Sequence, residues 1–210
     1  MKLIILEGIA TSGKTTVKNK VMTLLAEKGL TFSVVEEDET LMPILNNTDK
    51  QVSLDLLKKT IKKALREEKD YIIFDRLFFT HIIRTKSSLK DFREIESMIE
   101  KQALLVFLKI DEIKIPERIA YAKKHRGKQW NEYVDKKGDI VKITQYYAEQ
   151  QKLLKNLLNK TSLQYKIYNT TNLDFENISE DILSTLLPTA VRTSSSRGSK
   201  GRQKTLFKDL

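Results

Sequence analysis

Gly8-Ile9-Ala10-Thr11-Ser12-Gly13-Lys14-Thr15 is the stretch that decides the fold of this 210-residue chain. It follows an apolar run, Leu3-Ile4-Ile5-Leu6, and precedes a helical pattern. Two glycines let the backbone curl so that successive N–H groups face a phosphate, and the helix adds its positive N-terminal end. In such loops the lysine reaches the β- and γ-phosphates, and the Ser/Thr after it holds Mg²⁺. We therefore expect a nucleotide to contact the loop and the start of the helix, at Gly8, Ile9, Ala10, Thr11, Ser12, Gly13, Lys14, Thr15 and Thr16.

Two residues of this phosphate loop (residues 8–15) carry the predicted chemistry. Lys14 is the predicted catalytic cation, and Thr15 is the predicted magnesium ligand. The alternative is a glycine-rich turn between a strand and a helix, with a lysine that merely faces solvent. The order of strand, loop and helix favours the nucleotide site.

The rest of the chain alternates apolar runs with helical patterns. The apolar runs are residues 3–6, 32–35, 71–74, 104–108 and 165–168. Helices are expected at 14–28, 54–69, 77–86, 91–101, 113–124, 140–159 and 175–187. This alternation is typical of an α/β fold in which helices cover a parallel sheet.

Two segments depart from the alternation. Residues 125–139 join two glycines to four basic side chains between two helical patterns, and we expect them to form a lid. Residues 189–202 have almost nothing to bury, and they predict a disordered linker. We therefore expect one domain over residues 1–188 and a basic, disordered tail over residues 189–210.

The composition limits the classes of function. The chain has no cysteine and two histidines, which argues against a thiolate or histidine metal site, so Mg²⁺ brought by the nucleotide is the expected metal. No apolar run approaches the ~18 residues of a membrane span, and we expect a cytoplasmic protein without a membrane partner. The net charge is +10, but six basic side chains lie in residues 189–210, so direct binding of nucleic acid is not expected.

Acidic residues follow the predicted strands at the sheet edge where parallel sheets bind ligands. Phosphoryl transfer needs a carboxylate near the metal or the attacking oxygen. Asp75 follows the third run, and we expect it to be catalytic and to bind Mg²⁺ directly or through water; the alternative is that it caps the next helix. Glu36 and Glu37 follow the second run, where they would bind the substrate or belong to an ordinary acidic loop.

Two arginines near the lid are further catalytic candidates. Arg118 lies on a predicted helix, and Arg126 lies in the lid segment. Their guanidinium groups would neutralise charge on the donor phosphates while the closed lid excludes water. The alternative is that both are ordinary surface arginines.

Several stretches resemble the thymidylate kinase and deoxynucleoside kinase group. Leu6-Glu7-Gly8 through Gly13-Lys14-Thr15-Thr16 is similar to its phosphate loop, and Asp75-Arg76 is similar to the pair after its third strand. Leu108-Lys109-Ile110-Asp111 with Arg118-Ile119 resembles its fourth strand and the helix that leads to an arginine-bearing lid. The resemblance implies a P-loop NTPase fold of three αβα layers, with a five-stranded parallel sheet, a helical lid, ATP and Mg²⁺. It also implies a catalytic, acceptor-binding role for Arg76.

The acceptor stays open at this point between a nucleoside and a nucleoside monophosphate. A hydroxyl acceptor needs a general base, which Glu36 or Glu37 could supply, whereas a phosphate acceptor is already an anion. A second alternative is a kinase for a metabolite that is not a nucleotide, which differs from the first interpretation only in the acceptor. A third alternative is a nucleotide-dependent switch or adaptor. The sequence leaves a homodimer open.

The end of the tail, Gln203-Lys204-Thr205-Leu206-Phe207, places apolar side chains where a linker does not need them. Gln203, Leu206 and Phe207 resemble the anchors of short peptides that dock on replication sliding clamps, and a clamp is therefore a candidate partner. The alternative is a frayed terminus without a function.

Overall fold

The fold is built on a five-stranded parallel sheet, seen in a computed structural model that describes residues 1–44 and 46–187. Its strands are β1 (Lys2–Glu7), β2 (Phe32–Val35), β3 (Tyr71–Asp75), β4 (Ala103–Lys109) and β5 (Gln164–Asn169). Their order across the sheet is β2-β3-β1-β4-β5, and every pair is parallel. The predicted α/β fold and its five strands are confirmed. The predicted tail and its docking peptide lie outside the described residues.

Nine α-helices connect the strands in the described part of the chain. They are α1 (Lys14–Glu27), α2 (Glu37–Thr40), α3 (Lys50–Ala64), α4 (Phe79–Arg84), α5 (Arg93–Ile99), α6 (Ile115–His125), α7 (Lys128–Asp135), α8 (Ile140–Leu158) and α9 (Phe175–Leu186). Short 3-10 turns lie at Met42–Ile44, Leu89–Phe92 and Glu112–Lys114. No helix in residues 1–44 and 46–187 is both long and apolar enough to cross a membrane.

Two apolar cores lie on the two faces of the sheet. Because side chains of a strand alternate between faces, Leu3 and Ile5 of β1 join one core, and Ile4 and Leu6 join the other. The larger core includes side chains from α3, α4, α5 and α8, and the smaller one is closed by α1 and α9. The phosphate loop therefore leaves a strand that is fixed on both sides.

Helix α3 differs from the sequence prediction in its bounds, and α2 and α7 lie where the apolar pattern predicted no separate helix. The helix predicted at 54–69 is α3, which starts earlier because the Asp49 side chain accepts a hydrogen bond from the Val52 amide at 3.0 Å and caps it. It ends earlier because the chain turns back toward β3, with Glu68 in the left-handed region at φ 51°. The predicted lid segment 125–139 contains α7, whose Val134 is completely buried.

Candidate functional site

The phosphate loop has a backbone that requires its glycines. Gly8 has φ 153°, and a Cβ added there would lie 2.5 Å from the carbonyl oxygen of Leu108. Gly13 has φ 88°, and an added Cβ would collide with the ring of Phe175. Both positions combine an unfavourable φ with a close approach of neighbouring atoms, so only glycine fits them.

Lys14 is folded back onto the loop. It is 7% exposed, and its Nζ donates to the carbonyl oxygens of Gly8 at 3.0 Å and Ile9 at 2.9 Å. Burial lowers the pKa of Lys14 to about 7, and the positive charge of Arg76 adds to the effect, while nearby carboxylates oppose it. An anion bound in the loop would place negative charge beside Lys14 and would favour its charged form.

A cavity of about 550 Å³ opens beside the loop. Part of its wall comes from the loop and the start of α1, with Thr11, Gly13, Lys14, Thr15 and Thr16. The rest comes from α6, from the residue that follows it and from the segment after β5, with Glu117, Arg118, Tyr121, Ala122, His125, Arg126, Leu173 and Phe175. The structure thus brings five of the nine predicted loop residues and both predicted arginines to one cavity, whereas Gly8, Ile9, Ala10 and Ser12 are not part of its described lining.

The two arginines already have partners. Nη2 of Arg118 donates to the carbonyl oxygens of Thr170 at 2.6 Å and Thr171 at 3.4 Å. The guanidinium carbon of Arg126 lies 4.7 Å from the ring centre of Trp130, a cation–π contact. A phosphate-binding role for either guanidinium stays a prediction, and for Arg118 it would require exchange of these carbonyls for the ligand.

Asp75 ends β3 as a buried member of an ion pair. Its Oδ2 accepts a hydrogen bond from Nζ of Lys18 at 3.0 Å, and its Oδ1 is buried with no hydrogen-bond partner among the described residues. Nζ of Lys18 also bonds Oε2 of Glu36. The alternative role of Asp75 as a helix cap is not seen, because α4 begins at Phe79 and its cap has no side-chain hydrogen bond.

Arg76 occupies a strained turn beside the loop. Its φ is 67°, a left-handed conformation that costs about 1–3 kcal/mol in a residue other than glycine. Its Nη1 donates to the Gly8 carbonyl oxygen at 2.9 Å and to Thr80 Oγ1 at 3.2 Å. Its Nε lies 3.2 Å from Oε1 of Glu37. Strain held by this many contacts is typical of functional sites.

Glu7 supports the same turn from the end of β1. It is completely buried, and its Oε1 accepts a hydrogen bond from the Leu77 amide at 3.1 Å, while Oε2 accepts one from Thr80 at 3.4 Å. Burial raises the pKa of Glu7, although Arg76 and the Leu77 hydrogen bond oppose that rise. The sequence placed Glu7 within the phosphate-loop resemblance and did not reveal its support of the turn that carries Arg76.

Lys137 and two tyrosines form a further aromatic and basic group. Nζ of Lys137 lies 3.9 Å from the ring centre of Tyr133 and 4.1 Å from that of Tyr146. Burial raises the pKa of Tyr146 to about 12, and Tyr133 adds to the rise, while the charges of Arg84 and Arg76 oppose it. Arg76 thus lies within electrostatic range of an aromatic and basic cluster.

These features define a phosphate-loop α/β protein: a loop that requires its glycines, a lysine folded back onto that loop, the order of the strands in the sheet and the cavity beside the loop. The YorR protein from Bacillus subtilis, solved in complex with phosphorylated GDP, has a TM-score of 0.63 to this chain at 18% identity; the match covers 88% of this chain and 95% of that chain. Shikimate kinase from Acinetobacter baumannii, solved in complex with shikimate, has a TM-score of 0.54 to this chain at 17% identity; the match covers 89% of this chain and 93% of that chain. No protein-family model and no curated protein matches the sequence. At these identities the likeness shows the fold, and the activity must be argued from the site.

Proposed function

We propose that this protein transfers the γ-phosphate of ATP to a nucleoside monophosphate. The choice of acceptor rests on one observation: the acidic residues that follow the strands of this protein are held in ion pairs. Lys18 holds Asp75 and Glu36, and Arg76 lies against Glu37. A carboxylate engaged by a cation is a poor general base, and a phosphate acceptor needs none because it is already an anion.

The donor half of the proposal rests on the phosphate loop. ATP would exchange the Gly8 and Ile9 carbonyls for its own oxygens on the Lys14 ammonium, and the cavity beside the loop would hold the rest of the nucleotide. Exposed Thr15 and the unpartnered Oδ1 of Asp75 offer the oxygen ligands that Mg²⁺ prefers. The metal, when bound, would neutralise charge on the phosphates.

The acceptor half rests on the charge around Arg76. This guanidinium is held next to the loop by the Gly8 carbonyl, and the basic and aromatic cluster of Lys137, Tyr133 and Tyr146 lies within its electrostatic range. A guanidinium can bind a phosphate monoester through two hydrogen bonds, and aromatic rings can stack on a nucleobase. Arg76 would therefore bind the acceptor phosphate.

The test is ADP release from Mg²⁺-ATP with a panel of nucleosides, nucleoside monophosphates and hydroxylated metabolites. The expected result is ADP formed with one or a few monophosphates, and its loss by at least about a hundredfold in Lys14→Met. Lys20→Met, on the exposed side of the same helix, is the control and should keep wild-type rates. ADP release that no acceptor stimulates would support the adaptor alternative, and stimulation by a metabolite alone would support the metabolite kinase.

A tether to a sliding clamp is a separate proposal about the tail. A basic linker between the domain and the docking peptide would raise the local concentration of the protein at the clamp without a new contact in the domain. The full-length chain should bind purified clamp, and a variant with Gln203→Ala, Leu206→Ala and Phe207→Ala should not. Equal binding by both proteins would refute the docking peptide and leave the kinase proposal untouched.

A further inference from the structure

Lys18 is a buried lysine with no assigned role. It lies four residues after Lys14 on α1, so both side chains leave the same face of the helix. That face is closed, since Lys14 is 7% and Lys18 is 6% exposed, whereas Lys20 on the same helix remains partly exposed. A lysine is almost never buried unless its charge is paired.

The ammonium of Lys18 is paired twice. It donates to Oδ2 of Asp75 at 3.0 Å and to Oε2 of Glu36. Burial lowers the pKa of Lys18, but the hydrogen bonds with Glu36 and Asp75 outweigh it, so the group stays a cation. Removal of one partner of such a pair leaves an uncompensated buried charge, which makes the arrangement specific.

These two bonds join three separate elements. Lys18 belongs to the helix of the phosphate loop, Asp75 ends β3, and Glu36 is the residue immediately before α2. The next residue, Glu37, begins α2 and lies 3.2 Å from Nε of Arg76. A displacement of Glu36 would therefore be passed to the partner of the guanidinium beside the loop.

We infer that Lys18 is a positioning residue, which fixes the Glu36–Glu37 segment and thereby Arg76 relative to the phosphate loop. The inference rests on the proposed function, in which Arg76 binds the acceptor. Lys18 itself touches neither ligand. Its loss should weaken binding of the acceptor far more than binding of ATP, because the loop and Lys14 keep their own hydrogen bonds to Gly8 and Ile9.

Lys18→Met tests this positioning role, with Lys20→Met as the matched control on the same helix. The acceptor KM should rise about tenfold or more in Lys18→Met, while the dissociation constant of ATP, measured by calorimetry, should stay within about threefold of wild type. The control should change neither constant, because Lys20 forms a surface ion pair with Glu176 and such pairs contribute little.

Glu36→Gln weakens the same link but keeps the Lys18–Asp75 pair, so it tests the inference even if Lys18→Met does not fold. It should also raise the acceptor KM without weakening ATP. If Lys18→Met folds, the variant that combines Lys18→Met with Glu36→Gln should have the same acceptor KM as Lys18→Met alone, since both changes break the same link. Equal losses of acceptor and ATP affinity, or an unchanged acceptor KM in Glu36→Gln, would overturn the inference while wild-type turnover of a monophosphate stands. A wild type that phosphorylates no monophosphate would refute the proposed function and this inference with it.

Discussion

The low pKa of Lys14 predicts that ATP binding takes up a proton. In the ligand-free protein the pKa of Lys14 is about 7, because its ammonium is buried and lies near Arg76. At pH 8 only about one tenth of the free protein carries the Lys14 charge. The triphosphate favours the charged form, so binding at pH 8 should be coupled to the uptake of about 0.9 proton.

The sign and size of the pH effect follow from the same pKa. The contribution of Lys14 to affinity should change little below pH 7 and should fall as the pH rises, because an increasing share of the free protein must first be protonated. Between pH 7 and pH 9 the loss should be roughly 50-fold.

Calorimetry can measure this proton directly. The apparent enthalpy of ATP binding at pH 8, plotted against the ionisation enthalpy of several buffers, should have a slope that corresponds to about 0.9 proton. Lys14→Met should remove the slope together with most of the affinity, and Lys20→Met should retain it. A wild-type slope of zero at pH 8 would refute the reasoning, since it would mean that Lys14 is already charged before ATP arrives.

Two further predictions concern the loop and its support. Gly13→Ala should lower the free energy of unfolding by about 1–3 kcal/mol in urea titrations and abolish ATP binding, because φ 88° and the Phe175 ring both oppose a side chain. Gly127→Ala, where a Cβ meets nothing within 4 Å, should bind ATP normally, and equal effects would contradict the steric argument. Glu7→Ala should lower the free energy of unfolding by about 1–3 kcal/mol, because it leaves the Leu77 amide unpaired in the interior, and should raise the KM of the phosphate acceptor. Glu7→Gln keeps an oxygen that can accept this hydrogen bond and should restore most of the stability and most of that KM.

Much of the fold could be predicted because its signals are local. The strands β1, β3 and β4 are buried on both faces and therefore appear as uninterrupted apolar runs. The phosphate loop is a contiguous motif, and its glycines, lysine and threonine can be recognised without knowledge of the fold. The helix α2 could not be predicted, because its four residues span about one turn. Helix α7 was not predicted as a separate element, although Trp130, Tyr133 and Val134 follow helical spacing within its eight residues.

The pairing within the site could not be predicted, because it joins residues far apart in the chain. Lys18 and Asp75 are 57 positions apart, and Arg76 and Gly8 are 68 apart. Their contact depends on β3 lying beside β1, which the apolar pattern does not specify. In the sequence Lys18 resembles any solvated lysine of a helix; its four-residue spacing from Lys14 was the one available signal. Strand-end carboxylates that looked like free bases are thus ion-paired in the folded protein.

We propose that phosphate passes from one anion to another, with Lys14 at the donor phosphates and Arg76 at the acceptor phosphate. The most direct measurement is the fate of label from [γ-³²P]ATP with an equimolar mixture of nucleosides and nucleoside monophosphates. We predict that the label appears in a nucleoside diphosphate and that this product is lost in Arg76→Met. Label recovered in a nucleoside monophosphate, or only in inorganic phosphate, would contradict the account.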